Sequence, residues 1–214
     1  MPFTGFWRFL ESIPAAIVSS KIRVVRGILR RFAPDWLLPN HLTIMRMGLA
    51  LPATTFILFR AQLAGLIFFV VAAALDLLDG ELARMRGLET DQGEFLDIFA
   101  DKVLGGLALI AIYTSQRRDS ELISASLFWL TLGLDLVLVF LWLGGKTMPI
   151  QVGWKRRLGA NIWGKWKFSF QCLGISFLLI GFPMLGQSLL SLAIPLAVVS
   201  VIGHLAFGTR DLQP

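Results

Sequence analysis

Six apolar runs, each close to 20 residues long, divide most of this 214-residue chain. An α-helix of about 20 apolar residues crosses the roughly 30 Å of hydrocarbon in a bilayer. Helices are required, because an open strand would leave backbone groups without hydrogen-bond partners in lipid. The sequence therefore predicts an all-α, polytopic membrane protein with one six-helix transmembrane domain over residues 39–210. The runs cover approximately residues 42–59, 62–83, 95–115, 121–143, 166–186 and 188–207.

Composition and charge agree with a membrane protein. The chain is 56% hydrophobic and 16% charged, with a mean hydropathy of +0.71, and soluble domains of this size rarely reach that balance. The net charge of +6 comes from Lys and Arg residues that lie between apolar runs. That placement is typical of loops facing anionic lipid, and it argues against a nucleic-acid partner.

The distribution of basic residues predicts the orientation. Fifteen of the 20 Lys and Arg residues lie in segments on one side of the predicted bundle and three on the other. The positive-inside rule then places both termini and the long basic connection 144–167 in the cytoplasm, as expected for a bacterial cytoplasmic membrane. Residues 1–38 are basic, with apolar residues at helical spacing, and predict an amphipathic helix at the membrane surface. The alternative for this segment is a solvated basic tail.

Four aspartates stand out within the second and third runs. Carboxylates next to hydrocarbon cost roughly 2.5–3.5 kcal/mol each on insertion scales. One pair is spaced by three residues and the other by four, so each pair lies on one face of its helix. Because a short turn joins the two runs, the helices are antiparallel neighbours and the carboxylates can converge, which requires a compensating cation. They are Asp76, Asp79, Asp97 and Asp101.

The residue types indicate what that cation is. Oxygen-only ligands without His or Cys select hard ions, and a site open to phosphate favours Mg²⁺ or Mn²⁺. Four carboxylates can hold two divalent cations and a substrate diphosphate. Gly80 and Ala83 keep the helix face narrow, Arg84 offers donors to phosphate, and Gly93 opens the facing helix. The competing interpretation is that the acids merely cap or solvate helix ends.

These residues have the spacing of a family signature. The pattern resembles that of the CDP-alcohol phosphotransferase family, with each of its eight positions filled. The resemblance implies transfer of a substituted phosphate from a CDP-linked lipid to an alcohol, with release of CMP. It also implies that Asp76, Asp79 and Asp97 bind one metal, that Asp76, Asp97 and Asp101 bind a second, and that Asp101 is the general base. The chain reads Asp76-x2-Asp79-Gly80-x2-Ala83-Arg84-x8-Gly93-x3-Asp97-x3-Asp101.

Two further blocks resemble parts of the same family. The family pattern implies that Gly80, Ala83, Arg84 and Gly93 receive the CDP donor. PNHLTIMR at 39–46 resembles the PNxLTxxR entry to the first span. There Asn40 is expected to cap the helix, and Asn40 and Thr43, with Arg46, to face the donor diphosphate. The alternative is simple helix initiation and snorkelling.

The acceptor alcohol is indicated by basic residues. GKWKFSFQ at 164–171 resembles the GKxKTxxQ segment of phosphatidylglycerophosphate synthases, whose acceptor is glycerol 3-phosphate. Lys102, Lys165 and Lys167 are the expected ligands of the acceptor phosphate, although positive-inside topology also explains basic residues here. Two departures concern the acceptor: Phe168 replaces a Thr, and Leu134-Asp135 replaces an Arg-acid pair. Asp135 is expected to pair with a base or to line a polar cavity.

Several alternatives remain at the level of sequence. A cardiolipin synthase of the same fold would use phosphatidylglycerol, and an inositol-type acceptor is a more distant choice. A cation or proton transporter is the alternative from another class. Its acids are expected near the bilayer middle, whereas the four aspartates here are predicted toward the cytoplasmic ends of their helices, beside Gly80 and Arg84. A degenerate, non-catalytic relative is disfavoured because every signature position is filled. Members of this family commonly form homodimers, although nothing else in the chain indicates one.

Overall fold

A computed structural model describes residues 25–27, 29–31, 33–34, 36–88, 90–116, 121–147 and 162–207. Side chains 91, 94, 142–147, 162–163, 165 and 202–207 are also outside the description. This part of the chain is helical with connecting turns and contains no strand, which agrees with the all-α prediction. The long helices of these residues are α1 (Pro39–Leu58), α2 (Gln62–Arg86), α3 (Asp91–Ser115), α4 (Ala125–Thr147), α5 (Ile162–Ile180) and α6 (Pro183–Phe207).

Among the described residues, three helices are long and apolar enough to cross a membrane. These are α1, α2 and the first 19 residues of α6. Shorter apolar stretches lie in α4 and α5, at Ala125–Leu141 and Trp166–Ile180. The chain therefore has the helices of a membrane protein, while six complete spans stay a prediction. Most of the expected amphipathic helix in residues 1–38 lies outside the described residues.

The start of α1 differs from the expectation. Asn40 is the second residue of the helix and not its cap, because the helix already begins at Pro39. Proline suits the first helical position, since its missing N–H would have no partner there anyway. Leu38 is the N-cap residue, and its backbone N–H donates to His41 Nδ1 at 3.4 Å. The Asn40 side chain is thereby left for contacts outside its own helix.

A short turn sets the register between α2 and α3. Helix α2 ends at Gly87, whose φ of +63° is the left-handed conformation that favours glycine. Helix α3 begins after Thr90, whose Oγ1 accepts a hydrogen bond from the Gly93 N–H at 3.0 Å. Asp76 lies about ten residues before the turn, and Asp101 lies about ten residues after it. At 1.5 Å per residue both lie roughly 15 Å from the turn, at the same level of the antiparallel pair.

The helices pack around one apolar core. Helix α1 packs against α2 and α3, α5 packs against α6, and the core includes Ile57, Phe69, Leu109 and Ile175. The α1–α2 crossing is close: a Cβ on Gly65 would lie 2.6 Å from Ile57 Cγ1. Small residues allow such backbone approach where lipid supplies no hydrophobic force between helices. This packing holds the polar residues of α1 over the acidic ends of α2 and α3.

Candidate metal centre

Three of the four aspartates come together in the structure. Oxygens of Asp76 on α2 and of Asp97 and Asp101 on α3 lie within 4.8 Å of one another. The side chains of Asp76 and Asp101 are 19% and 21% exposed, and that of Asp97 is 42% exposed. The group is therefore open on the Asp97 side. The prediction that acids of the two helices converge is confirmed for these three residues.

Arg46 lies at the centre of this group. Its side chain is fully buried, and its Nη1 donates to Asp76 Oδ1 and, at 3.0 Å, to Asp101 Oδ1. Its Nη2 donates to Asp97 Oδ1 at 2.7 Å and to the Asp97 carbonyl oxygen at 3.1 Å. One guanidinium from α1 thus connects carboxylates of two other helices. A single positive charge does not balance all the aspartates, so the group keeps an excess of negative charge.

Asp79 lies beside this group on a separate hydrogen bond. Its carboxylate is buried, and Oδ2 accepts from the Thr43 hydroxyl at 2.9 Å. Its other oxygen, Oδ1, is buried with no hydrogen-bond partner among the described residues. A buried carboxylate oxygen without a partner costs free energy unless a cation or donor binds it. Thr43, expected at the donor diphosphate, here orients a predicted metal ligand.

The residues present fit a divalent cation. Three carboxylate oxygens lie close enough together to share an ion, and the partnerless Asp79 Oδ1 offers another oxygen. An all-oxygen donor set of this kind suits Mg²⁺ or Mn²⁺. We use "acidic cluster" below for the four aspartates together with Arg46.

Gly80 and Arg84 lie side by side on α2. A Cβ on Gly80 would meet only Arg84 Nη2, at an ordinary contact distance of 3.8 Å. Packing within the described residues therefore does not require glycine at position 80. Arg84 is about half exposed, and its Nε donates to Glu81 Oε2 at 3.1 Å. Ala83 is half-buried, and its carbonyl accepts the Leu88 N–H of the helix-ending turn.

Asn40 and Gly93 also meet, although they come from different helices. A Cβ on Gly93 would lie 3.1 Å from Thr90 Oγ1 and 3.5 Å from Asn40 Oδ1. Glycine at position 93 thus lets the N-terminal turn of α3 pack closely against its own cap and against α1. The structure brings both residues to the turn that follows α2, while their contact with a donor stays a prediction.

A second charged group joins α3, α4 and α5. Asp135 Oδ1 accepts from Lys102 Nζ at 2.6 Å and from Lys167 Nζ, and Asp135 Oδ2 accepts from Gln171 Nε2 at 2.9 Å. Lys167 also donates to Gln171 Oε1 at 2.6 Å. A Cβ on Gly105 would lie 3.1 Å from Gln171 Nε2, so glycine gives Gln171 room against α3. These four polar residues are called the lysine cluster below.

The lysine cluster confirms the predicted pairing of Asp135 with a basic residue, while binding of the acceptor phosphate by these lysines stays a prediction. Asp135 pairs with two bases, as predicted for an acid within an apolar run. Lys167 is 1% exposed and Asp135 3% exposed, so their charges are held inside the protein. The Lys165 side chain and residues 155–157 lie outside the described residues.

The sequence did not predict the contacts of Arg46 and Gln171 in these groups or of Glu81 beside Arg84. Arg46 was expected to face the pocket and not to bind three aspartates. Glu81, a buried acid between signature residues, and Gln171 were given no role. The signal for Arg46 was present, since clustered carboxylates in a membrane require a cation, but a metal ion satisfied that requirement equally well.

The geometry defines a membrane protein with an acidic, metal-compatible site, and comparison with known proteins gives its family. Residues 36–202 match the CDP-alcohol phosphatidyltransferase family. The chain belongs to this family.

Bacterial relatives share the sequence at about one third identity. A Cereibacter sphaeroides protein is 32% identical over 160 residues, which cover 69% of this chain and 65% of that protein. A Bacillus subtilis protein is 30% identical over 161 residues, covering 67% and 76%. Both are named CDP-diacylglycerol–glycerol-3-phosphate 3-phosphatidyltransferase. The match therefore spans slightly less than two thirds of the Cereibacter protein.

A solved structure shares the fold. It is the crystal structure of Mycobacterium tuberculosis phosphatidylinositol phosphate synthase with CDP-DAG bound. The TM-score is 0.58 at 18% sequence identity, with 91% of this chain and 97% of that chain covered. The shared helical architecture agrees with the arrangement of α1 to α6.

Proposed function

We propose that this protein transfers a phosphatidyl group from CDP-diacylglycerol to glycerol 3-phosphate, giving phosphatidylglycerophosphate and CMP. The observation that carries the proposal is the convergence of Asp76, Asp97 and Asp101 oxygens within 4.8 Å on helices α2 and α3. Family membership favours this reaction class over a transporter that uses the same acids. The names of the bacterial relatives support the choice of donor and acceptor.

The acidic cluster would hold two divalent cations, Mg²⁺ or Mn²⁺. Asp76 and Asp97 would contribute to both ions, Asp79 to the first and Asp101 to the second. When bound, such cations neutralise a diphosphate and polarise the attacked phosphorus. The partnerless Asp79 Oδ1 supports a cation ligand at that position. Arg46 draws carboxylates of α2 and α3 together and reduces their mutual repulsion.

Asp101 would be the general base. Its carboxylate would accept the proton from the acceptor hydroxyl as the oxygen attacks phosphorus and CMP leaves. The side chain is 21% exposed and lies at the boundary between the two charged clusters, next to Lys102 in the chain. An acceptor bound near the lysine cluster would thus present its hydroxyl to Asp101.

The donor would bind along α2 and the start of α3. Arg84 offers terminal guanidinium nitrogens to phosphate, beside the narrow face at Gly80 and Ala83. Asn40 and Thr43 on α1 and Gly93 on α3 complete this side. The proposal follows the signature spacing and is supported by the position of Arg84 Nη2, 3.8 Å from where a Cβ on residue 80 would lie.

Lys102, Lys165 and Lys167 would bind the acceptor phosphate. A phosphate near hydrocarbon needs neutralisation, and the lysine cluster carries two positive charges against one carboxylate. Lys102 is 18% exposed and provides the more accessible ammonium.

The topology of the proposal follows the basic residues. Residues 39–210 would form six transmembrane helices, with residues 1–38 as an amphipathic segment on the membrane surface. Both termini and the site would face the cytoplasm of a bacterium, where CMP and glycerol 3-phosphate are soluble. A homodimer is part of the proposal from family resemblance alone.

An acceptor panel tests the proposal. Purified protein receives CDP-diacylglycerol, Mn²⁺ or Mg²⁺ and one acceptor at a time, and CMP release is followed. Glycerol 3-phosphate should support release, whereas phosphatidylglycerol and inositol phosphate should not. A response to phosphatidylglycerol alone would reassign the protein to cardiolipin synthesis. Absence of CMP release with every acceptor, in protein that stays folded, would overturn the proposed reaction.

A further inference from the structure

We infer that Glu81 is a positioning residue through which the N-terminal segment orients Arg84 for the CDP donor. The inference rests on the proposed function and deepens it, because it adds a residue outside the signature to the donor site. Glu81 lies between Gly80 and Arg84 in the chain, and its side chain is 2% exposed. A carboxylate buried to this degree is stable only when cations or donors bind it.

Two different cations bind the two oxygens of Glu81. Arg26 Nε donates to Oε1 at 2.5 Å, and Arg84 Nε donates to Oε2 at 3.1 Å. A guanidinium has five N–H donors in a planar fork, so a contact through Nε leaves the two terminal nitrogens for another anion. In Arg84 one of these, Nη2, lies over Gly80. Glu81 thus holds the Nε end of the Arg84 guanidinium and leaves its terminal nitrogens beside Gly80.

Described residues that precede α1 contact this part of α2 at further points. Leu29 is buried in a small apolar cluster with Leu42 of α1 and Leu82 of α2. Arg86 donates to the carbonyl oxygen of Pro34 at 2.9 Å and also to that of Leu37. The Arg26–Glu81 ion pair is therefore supported by apolar packing at Leu29 and by the hydrogen bonds of Arg86.

Charge balance gives Arg26 a second effect. Glu81 places a negative charge on the face where a diphosphate is proposed to bind. Arg84 alone, shared with that diphosphate, would neutralise the Glu81 carboxylate incompletely. Arg26 supplies the other positive charge, from a side chain that is 48% exposed. Loss of Arg26 would make Glu81 compete with the donor for Arg84. Both residues act on donor binding and neither touches reacting atoms, so KM for the donor should change while kcat does not.

The test is steady-state kinetics of the full chain with varied CDP-diacylglycerol and saturating glycerol 3-phosphate. For Glu81→Gln we expect the donor KM to rise about tenfold, with kcat within about twofold, since a fixed charge-assisted contact is lost. Arg26→Ala should raise the donor KM about threefold to fivefold, and Arg26→Lys should recover most of that loss. The donor KM of the Arg26→Ala/Glu81→Gln double variant should be no higher than that of Glu81→Gln, because both changes break the same Arg26–Glu81–Arg84 chain of contacts.

Arg30→Ala is the matched control. Arg30 is an exposed arginine of the same segment, and the described residues offer it no ion-pair partner. Arg30→Ala should leave the donor KM unchanged. This result would distinguish the Arg26–Glu81–Arg84 contacts from a general attraction of the basic residues to anionic lipid. An equal rise in KM for Arg30→Ala would overturn the inference. Donor binding is measured independently by the increase in Tm on adding CDP-diacylglycerol.

The remaining outcomes each decide the question. Wild-type donor KM in both Glu81→Gln and Arg26→Ala, or additive effects in the double variant, would overturn the inference and leave the proposed function intact. If Glu81→Gln does not fold, the Arg26→Ala and Arg26→Lys pair decides alone, because Arg26 is exposed. Wild-type protein that neither binds CDP-diacylglycerol nor releases CMP would overturn the proposed function and this inference together.

Discussion

The acidic cluster and the lysine cluster are neighbours with opposite composition. In the first, three aspartates bind one arginine and a fourth lies beside them, and the Asp97 side chain is 42% exposed. In the second, two lysines and a glutamine surround one aspartate, and Asp135 and Lys167 are almost fully buried. They adjoin at Asp101 and Lys102 on α3. The acidic cluster has an excess of negative charge and an exposed carboxylate, which together indicate a site for cations from outside the protein. The buried lysine cluster satisfies most of its polar groups by hydrogen bonds within the protein.

The largest expected effect is at Asp101. Asp101→Asn keeps the shape of the side chain but removes the base, so turnover should fall by about 10²–10⁴-fold. Binding of CDP-diacylglycerol, followed by its effect on Tm, should change little. Glu121→Gln, an exposed acid beyond the opposite end of α3, is the control and should keep wild-type turnover. Wild-type turnover in Asp101→Asn would remove Asp101 from the role of base.

The next effect concerns the cation within the acidic cluster. Arg46→Met leaves buried carboxylates without their partner, a change that costs about 3–5 kcal/mol when one member of a buried ion pair is lost. The Tm in EDTA should therefore fall strongly. Added Mn²⁺ should restore much of it, since divalent cations would replace the lost positive charge. A Tm that Mn²⁺ does not raise in this variant would contradict the assignment of the cluster as a metal site.

The lysine cluster should respond differently to the equivalent change. Asp135→Asn leaves two buried ammonium groups without a carboxylate, and we expect a loss of about 2–3 kcal/mol, as for hydrogen bonds to charged groups. Here Mn²⁺ should not correct the loss, because an added cation cannot replace an anion. The same Tm measurement in EDTA and in Mn²⁺ checks this. An equal rise in Tm on adding Mn²⁺ to Asp135→Asn and to Arg46→Met would contradict the proposed difference between the clusters.

The smallest expected effect tests whether the lysine cluster also serves the acceptor. Lys167→Ala removes one positive charge, and KM for glycerol 3-phosphate should rise about tenfold while the donor KM stays constant. Initial rates of CMP release with either substrate varied give both values. Glycerol, which lacks the phosphate, is the matched substrate control, and its use should not depend on Lys167. An unchanged KM for glycerol 3-phosphate would make Lys167 a purely structural partner of Asp135.

The sequence predicted those features that depend on local spacing. Asp97 and Asp101 are four residues apart on one helix, and the short turn at Gly87 and Thr90 makes α2 and α3 antiparallel. Convergence with Asp76 follows from these two facts. The exact start of α1 did not follow, because a favourable proline at position 39 competes with Asn40 as the boundary.

Contacts set by tertiary packing could not be predicted in the same way. Arg46 reaches the aspartates because α1 packs against both α2 and α3. Pairing of Asp135 with Lys102 and Lys167 depends on the relative rotation of three helices, which no local pattern encodes. Glu81 has an ordinary spacing on α2, and only its burial and its two arginine partners indicate a role.

The most direct measurement of the central claim is Mn²⁺ binding to the purified protein, followed by electron paramagnetic resonance in the presence of CDP-diacylglycerol. The account predicts two bound ions per wild-type chain and loss of both in an Asp76→Asn/Asp97→Asn double variant that keeps its helical content, because these two residues are proposed to contact both ions. Equal Mn²⁺ binding by the double variant and the wild type, or none by either, would contradict it.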